Sequence, residues 1–246
     1  MTVVTKRSID ELKALAEAGA AELNSLRLAN PDAPEATAAA VIEWVAKNFE
    51  VDAAAVACSM ADAVLPHIVA IGLPQVVVLF LETGYHFAET HATRDEVARA
   101  LPVRILDVKP KQTVAEQDAQ YGEKLYSRDP NLCCQLRKVD PLHASLQNFE
   151  VWFTGVRRDE AETRTHTPLV QWDEKNGLVK VNPLAAWTFD ELIDYATEHK
   201  VPVNLLLSNG YPSIGCEPCT KPVAPGEDPR SGRWAGANKV ECGLHL

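Results

Sequence analysis

An α/β fold, with a mostly parallel Rossmann-like sheet and helices on both faces, is predicted by two patterns in the sequence. Short β-branched apolar runs alternate with helix-length stretches across residues 52–108, and such alternation builds βαβ units with parallel strands. The segments that close two of these runs, Cys58-Ser59-Met60-Ala61-Asp62 and Glu82-Thr83-Gly84-Tyr85, fall at the carboxyl ends of strands, where such sheets bind ligands.

The elements follow in order. Ser8 and Glu11 form a capping-box pattern, and the Ala/Leu/Glu-rich stretch behind it predicts a helix over residues 8–29. Asn30-Pro31-Asp32-Ala33-Pro34 breaks it, and a second helix is expected over 35–48. Residues 52–57 read as a buried strand and 62–71 as a helix. Gln75 to Leu81 is the clearest strand, β-branched and bounded by Pro74 and Gly84. A helix over 86–100 and a strand over 103–108 complete the alternation. Further on, 131–146 reads as helix, 150–154 and 178–181 as strands, and Thr188 as the cap of a helix ending at His199. From Ser208 onward the Pro and Gly content predicts loop. Residues 1–221 are therefore read as one α/β domain, and 222–246 as a mobile C-terminal tail.

Composition narrows the function. At 246 residues with 46% apolar content, the chain can bury a full core, which excludes global disorder. No apolar run approaches the ~20 residues of a membrane span, and the first ten residues lack a secretory signal pattern. A cytoplasmic protein without a membrane partner is expected. The net charge of −10 argues against nucleic acid. Arg137, Lys138, Arg157, Arg158, Arg164, Arg230, Arg233 and Lys239 nevertheless all fall in the second half, which suits a local anion site. The sequence is compatible with a homo-oligomer but specifies no interface.

Six cysteines in a reducing compartment point to ligands or catalysts rather than disulfides. Cys216-Glu-Pro-Cys219 presents two thiols from a tight turn, as zinc, iron–sulfur and redox-dithiol sites all do. Cys133 and Cys134 are adjacent, and on a helix their side chains diverge by about 100°. That suits the separate corners of a cluster better than one tetrahedral zinc, although spacing alone discriminates weakly. Cys242 lies on the tail, where a thiol with little to pack against is either reactive or incidental. Beside it, Glu241 works against thiolate formation. Cys58 is read as a packed strand-end residue.

Together, Cys133-Cys134, Cys216-x-x-Cys219 and Glu241-Cys-Gly-Leu-His245 resemble the assimilatory adenylyl-sulfate reductases with an iron–sulfur cluster. Further matches are Leu81-Glu-Thr-Gly-Tyr-His-Phe87, Thr154-Gly-Val-Arg-Arg158, Val181-Asn-Pro-Leu-Ala-Ala-Trp187, Gly210-Tyr-Pro-Ser-Ile-Gly-Cys216 and Pro229-Arg-Ser-Gly-Arg-Trp234. The resemblance implies an adenine-nucleotide hydrolase-like fold and a [4Fe-4S] cluster held by Cys133, Cys134, Cys216 and Cys219. It implies that Cys242 attacks the sulfur of adenosine 5′-phosphosulfate, releasing AMP, and that thioredoxin then frees sulfite from S-sulfocysteine. By the same route Lys138, Arg230 and Arg233 belong near the sulfate and Arg157 or Arg158 near the nucleotide phosphate. Thr83 and Gly84 belong near the adenosine, with Ser59 supplying a hydroxyl and His245 serving Cys242. The first loop opens with Cys58 where the family has serine, and Glu82 stands where it has aspartate. The nearest rival is a reductase of the 3′-phosphorylated substrate, whose members lack the cysteine pairs. A non-catalytic, zinc-stabilised nucleotide-binding module is the rival from another class. An ATP-dependent ligase would need a Ser-Gly-Gly-x-Asp-Ser loop, which Cys58-Ser-Met-Ala-Asp62 is not.

Overall fold

The computed structural model describes residues 6–24, 35–235, 239 and 241–244. The expected end of the first helix over 25–29 and the break at 30–34 lie outside the described residues. The sheet has six strands in the order β3-β2-β1-β4-β6-β5. These are β1 Ala54–Ala57, β2 Val77–Leu81, β3 Arg104–Val108, β4 Val151–Thr154, β5 Val170–Asp173 and β6 Leu178–Val181. All neighbouring pairs are parallel except β5 with β6, so the predicted fold class holds. The chain winds outward from β1 through β2 to β3, then returns to place β4 on the other side of β1. The direction of winding reverses between β1 and β4, and a crevice opens there at the carboxyl ends of the strands.

Successive residues of a strand point to opposite faces, so each strand feeds two apolar layers. Val56, Val78, Phe80, Phe153 and Val181 belong to the larger one. It is covered by α1 (Ile9–Leu23), α2 (Ala38–Asn48), α3 (Val64–Gly72) and α9 (Phe189–Glu198). Ala55, Leu79, Trp152 and Leu178 face the smaller layer with Leu142 and Leu146. The Ser8–Glu11 capping box is formed at the start of α1, and Thr188 caps α9 with Glu191. Among the described residues no helix is long and apolar enough to cross a membrane.

Between α4 (Ala88–Ala100) and β4 the chain departs from the sequence reading. Two helices arise where none was expected: α5 (Val114–Tyr121), capped by Thr113 and Glu116, and α6 (Leu125–Arg128). The helix expected over 131–146 is three pieces in series. These are α7 (Pro130–Cys134), a π-helical turn over Gln135–Val139, and α8 (Asp140–Leu146). A π turn packs one more residue into a helical turn and re-aims the side chains around it. Here it lies between Cys133-Cys134 and the Leu142–Leu146 face that packs on the sheet.

Gly19 lets α1 sit against α2, because a Cβ there would stand 2.5 Å from the Trp44 ring. Gly19→Val is expected to destabilise the fold by about 2 kcal/mol through overpacking, as chemical denaturation would show by a lower midpoint with an unchanged slope.

Candidate active site

A cleft opens over the carboxyl ends of β1, β2 and β4. Its floor is the loop after β1, where Ser59 is exposed and Met60 buried. Met60 adopts a left-handed φ of 60°, a conformation unusual for a side chain of this kind. Neighbouring backbone secures the loop: Asn204 Nδ2 donates to the Met60 carbonyl at 3.1 Å, and Ala63 N–H to the Pro202 carbonyl at 2.9 Å. Asp62 faces the cleft. Burial raises its carboxyl above the usual range, against the Val64 N–H and Arg157, which favour the anion. Cys58 is packed as expected, and burial together with Asp62 pushes its thiol up to about 12.

The cleft wall carries cations from distant parts of the chain. Lys138, Arg157, Arg164, Arg230 and Arg233 all line it, with Thr83 and Cys242. Burial alone would lower the Lys138 ammonium, but its electrostatic interaction with Cys216, Cys134 and Cys242 outweighs that and raises it. Arg233 has no acidic partner among the described residues. Its Nη1 donates to Ser213 Oγ at 3.2 Å and to the Ile214 carbonyl at 3.3 Å, and burial followed by Arg230 lowers it. Gly215 gives this guanidinium its room, since a Cβ there would overlap it. Arg157 is buried, donates through Nε to Asp159 at 3.1 Å and lies over the Phe189 ring.

A smaller cavity sits behind this wall, lined by Cys133, Cys134, Cys216 and Cys219 with Tyr85, Tyr126, Pro130, Arg137 and Lys138. All four cysteines are free, and no carboxylate lines the cavity. Burial, then repulsion among neighbouring thiolates, pushes Cys133 up to about 12 and Cys219 up to about 11. Among the described residues, no three Cys, His, Asp or Glu side chains close on a single ion position. The four cysteines supply an all-sulfur donor set to one cavity, and such a set fits a cluster with separate metal corners. Thr83 is buried against this cavity, with Oγ1 3.3 Å from Cys216 Sγ. Arg137 holds the same corner, donating to the Thr83 carbonyl and to Gln117 Oε1 at 3.1 Å.

Two residues expected at the site lie elsewhere. Arg158 points away from the cleft: both terminal nitrogens donate to Glu35 at 2.6 Å, and Nε to the Thr167 carbonyl at 2.8 Å. Gly84 does not line the cleft either. With φ +75° it makes a turn packed against Val114 and Arg137. His245 lies outside the described residues. The tail, expected to be mobile, is docked at the cleft mouth through its described residues. Cys242 is half-buried, Leu244 packs on the smaller apolar layer, Lys239 Nζ donates to Asn131 Oδ1 at 2.6 Å, and Trp234 is buried.

Glu241 does not stand as an unopposed charge beside Cys242. Arg164 forks its carboxylate, Nε to Oε1 and Nη2 to Oε2, both at 2.8 Å, and Arg230 Nη2 adds a contact at 3.3 Å. Burial would raise this carboxyl, but the Arg164 hydrogen bonds and charge outweigh that and lower it. Sequence reasoning noted Arg164 among the basic residues without placing it at the site. Glu160 and His86 also line the cleft; His86 falls within the Leu81–Phe87 match but carries no role there, and nothing local marks Glu160.

Comparison with known proteins agrees with the fold and extends over the whole chain. Residues 53–222 match the sequence profile of the phosphoadenosine phosphosulfate reductase domain. A Streptomyces coelicolor protein named adenosine 5′-phosphosulfate reductase is 51% identical over the full length of both chains. A Mycolicibacterium smegmatis protein of the same name is 49% identical, again over both full lengths. In structure, a phosphoadenylyl-sulfate reductase from Candida auris superposes with a TM-score of 0.64 at 23% identity, covering 89% of this chain and 98% of that one. A Candida glabrata FMN adenylyltransferase superposes with a TM-score of 0.56 at 14% identity, covering 86% of this chain and 75% of the other. At these identities the structural matches speak for the fold alone.

Two predictions follow from the geometry. Gly215→Ala should displace Arg233 from Ser213 and Ile214, and if this guanidinium is an anion contact, calorimetric titration with an anionic nucleotide should show binding weakened roughly tenfold, about the worth of one charge-assisted hydrogen bond. The lowered Glu241 carboxyl makes tail docking acid-labile: its contribution is complete above the free carboxylate pKa and is lost as pH falls through the docked value. Amide exchange around Cys242, corrected for its intrinsic pH dependence, should quicken on acidification in the native protein and lose that response in Glu241→Gln.

Proposed function

The chain belongs to the phosphoadenosine phosphosulfate reductase family, and on that premise we propose that it reduces adenosine 5′-phosphosulfate to sulfite and AMP in sulfate assimilation. One observation carries this reading: Cys242 and the cations Lys138, Arg230 and Arg233 line the same cleft at the topological switch point of the sheet. Its relatives from Streptomyces and Mycolicibacterium carry the name of that activity over their full lengths.

In this reading the Cys242 thiolate attacks the sulfate sulfur. The S–S bond forms as the bond from sulfur to the bridging phosphate oxygen breaks, and the electron pair leaves with AMP. Both partners are anions, so fixed cations must offset their repulsion before sulfur meets sulfur. Lys138, with no hydrogen bond or ion pair to another described residue, is the free point charge for the sulfonyl oxygens. Arg233 offers a guanidinium with no acidic partner among the described residues. Charge growing on the departing phosphate oxygen is what such donors stabilise most. Buried Arg157, beside the loop after β4, suits the nucleotide phosphate. Ser59 and Thr83 stand at the strand ends where the adenosine would lie.

The second half-reaction needs a dithiol reductant, for which thioredoxin is the expected class. One of its thiolates attacks Cys242 Sγ, sulfite leaves with the bonding pair, and the second thiol resolves the mixed disulfide to restore Cys242. Cys133, Cys134, Cys216 and Cys219 are the residues that would hold a [4Fe-4S] cluster. When bound it would supply a compact thiolate-ligated charge centre behind Lys138. Sulfur donors arranged around a cavity favour this over a single zinc ion.

The test is mass spectrometry after mixing the protein with adenosine 5′-phosphosulfate and no reductant. A sulfonate adduct on the Cys242 peptide, absent from Cys242→Ser, is the expected result; an unmodified Cys242 would sink the proposal. Lys138→Ala should lower kcat/KM about 10²–10³-fold, the scale of one lost transition-state donor. The kcat/KM for adenosine 5′-phosphosulfate should exceed that for its 3′-phosphorylated form, and a reversed ratio would transfer the chain to the rival substrate. Anaerobically prepared protein is expected to be brown with about four irons, whereas stoichiometric zinc would favour the binding module.

A further inference from the structure

We propose that Glu241 is a positioning residue, a carboxylate latch that docks on Arg164 and thereby fixes the neighbouring Cys242 over the cleft. This deepens the proposed function and rests on Cys242 being its nucleophile. The feature needs an explanation, because a carboxylate next to an attacking thiolate, facing an anionic substrate, works against both.

Two roles for Glu241 are conceivable. It could stand in for a substrate anion on Arg164 and be displaced when substrate arrives, or it could be a permanent tie. The donors of Arg164 decide between them. Nε and Nη2 are taken by the two oxygens of Glu241, each at 2.8 Å, and Nη1 by Glu160. Each nitrogen of the guanidinium is therefore engaged by a protein carboxylate, and with two carboxylates against its single charge Arg164 offers an incoming phosphate or sulfate no uncompensated charge. The side chains are largely withdrawn from water, 12% exposed for Arg164 and 8% for Glu241, so the pair is a fixed contact rather than a loose surface one. Thr163 Oγ1 supports the same carboxylate at 3.3 Å.

The latch is also anchored to the floor of the site. Glu160, which holds the far side of Arg164, accepts from the Arg157 backbone N–H at 3.2 Å and pairs with the Arg157 side chain at 3.6 Å. The loop after β4 is thus joined to the tail through alternating charges. One residue after Cys242 the chain turns at Gly243, φ +83°. The Gly243 carbonyl accepts from Lys175 Nζ at 3.3 Å, and Leu244 then enters the smaller apolar layer. Cys242 is held from both sides, by charge before it and by apolar packing after it.

The experiment compares Glu241→Gln, Arg164→Gln and the double variant. The first readout, independent of turnover, is alkylation of Cys242 by iodoacetamide, followed by peptide mapping across a pH series. The rate at the alkaline plateau reports access to the sulfur, whereas the midpoint reports its ionisation, so removing a nearby charge is not mistaken for releasing the tail. Each single variant should raise the plateau several-fold, and the double variant no further than the larger single one, because the Arg164–Glu241 contact that holds the tail is lost in every case. An unchanged plateau, or effects that multiply, would overturn the latch. The second readout is turnover: kcat should fall about 10- to 100-fold, the usual result of misplacing a reacting group, with AMP affinity unchanged. Tighter AMP binding with kcat retained would show Glu241 to be a competing anion and would equally overturn the proposal. Glu241→Asp, keeping the charge, should recover part of the lost kcat. Should wild-type protein form no sulfonate on Cys242, the proposed function fails, while the alkylation series still reports on the latch.

Discussion

Arg157, Glu160, Arg164 and Glu241 form a single chain of alternating charge, and the arrangement of the cleft depends on it. An acidic protein can build an anion site only if its cations are held where they are needed, and half-buried charges hold their places when paired. Here Glu160 spaces two arginines, Arg164 spaces two carboxylates, and the chain ends one residue from the reactive thiol. Arg164, flanked by two carboxylates, shapes the site, while Lys138 and Arg233 stand outside the ladder with no acidic partner among the described residues, as the proposed anion contacts require.

The parallel sheet was legible because its central strands are buried on both faces, and β-branched runs such as Val76 to Val78 carry that signal without tertiary help. Elements missed by the reading lacked such a signal. Val170-Gln-Trp-Asp173 is a short edge strand pairing antiparallel with β6, and α5 is polar on nearly every face, buried only at Gln117. The Thr113–Glu116 capping box was its visible sign. The π turn at Gln135–Val139 left no sign, since its residues read as ordinary helix.

At the site, chemistry was more legible than placement. The cysteine pairs are recognisable by spacing, and the fold brings all four to one cavity although 81 residues separate Cys134 from Cys216. Arg157 and Arg158 could not be told apart in sequence, because adjacent residues at a strand end point in different directions and only a partner decides which faces the cleft. For Arg158 that partner is Glu35, at the other end of the chain. The tail was read from its Pro and Gly content as mobile. Its docking rests on Arg164, 77 positions from Glu241, a relation that no local pattern records.

If Cys242 passes its group to a partner protein as proposed, the tie between tail and cleft also sets how often the sulfur can be shown to that partner. Were the Arg164–Glu241 fork to set tail docking at about 3 kcal/mol, roughly one molecule in a hundred would hold the tail open at any instant. Such a duty cycle keeps the thiolate at its substrate for most of the time, yet lets a second macromolecule collect the product group without a dedicated opening step. The strength of one ion pair would then apportion time between the two half-reactions.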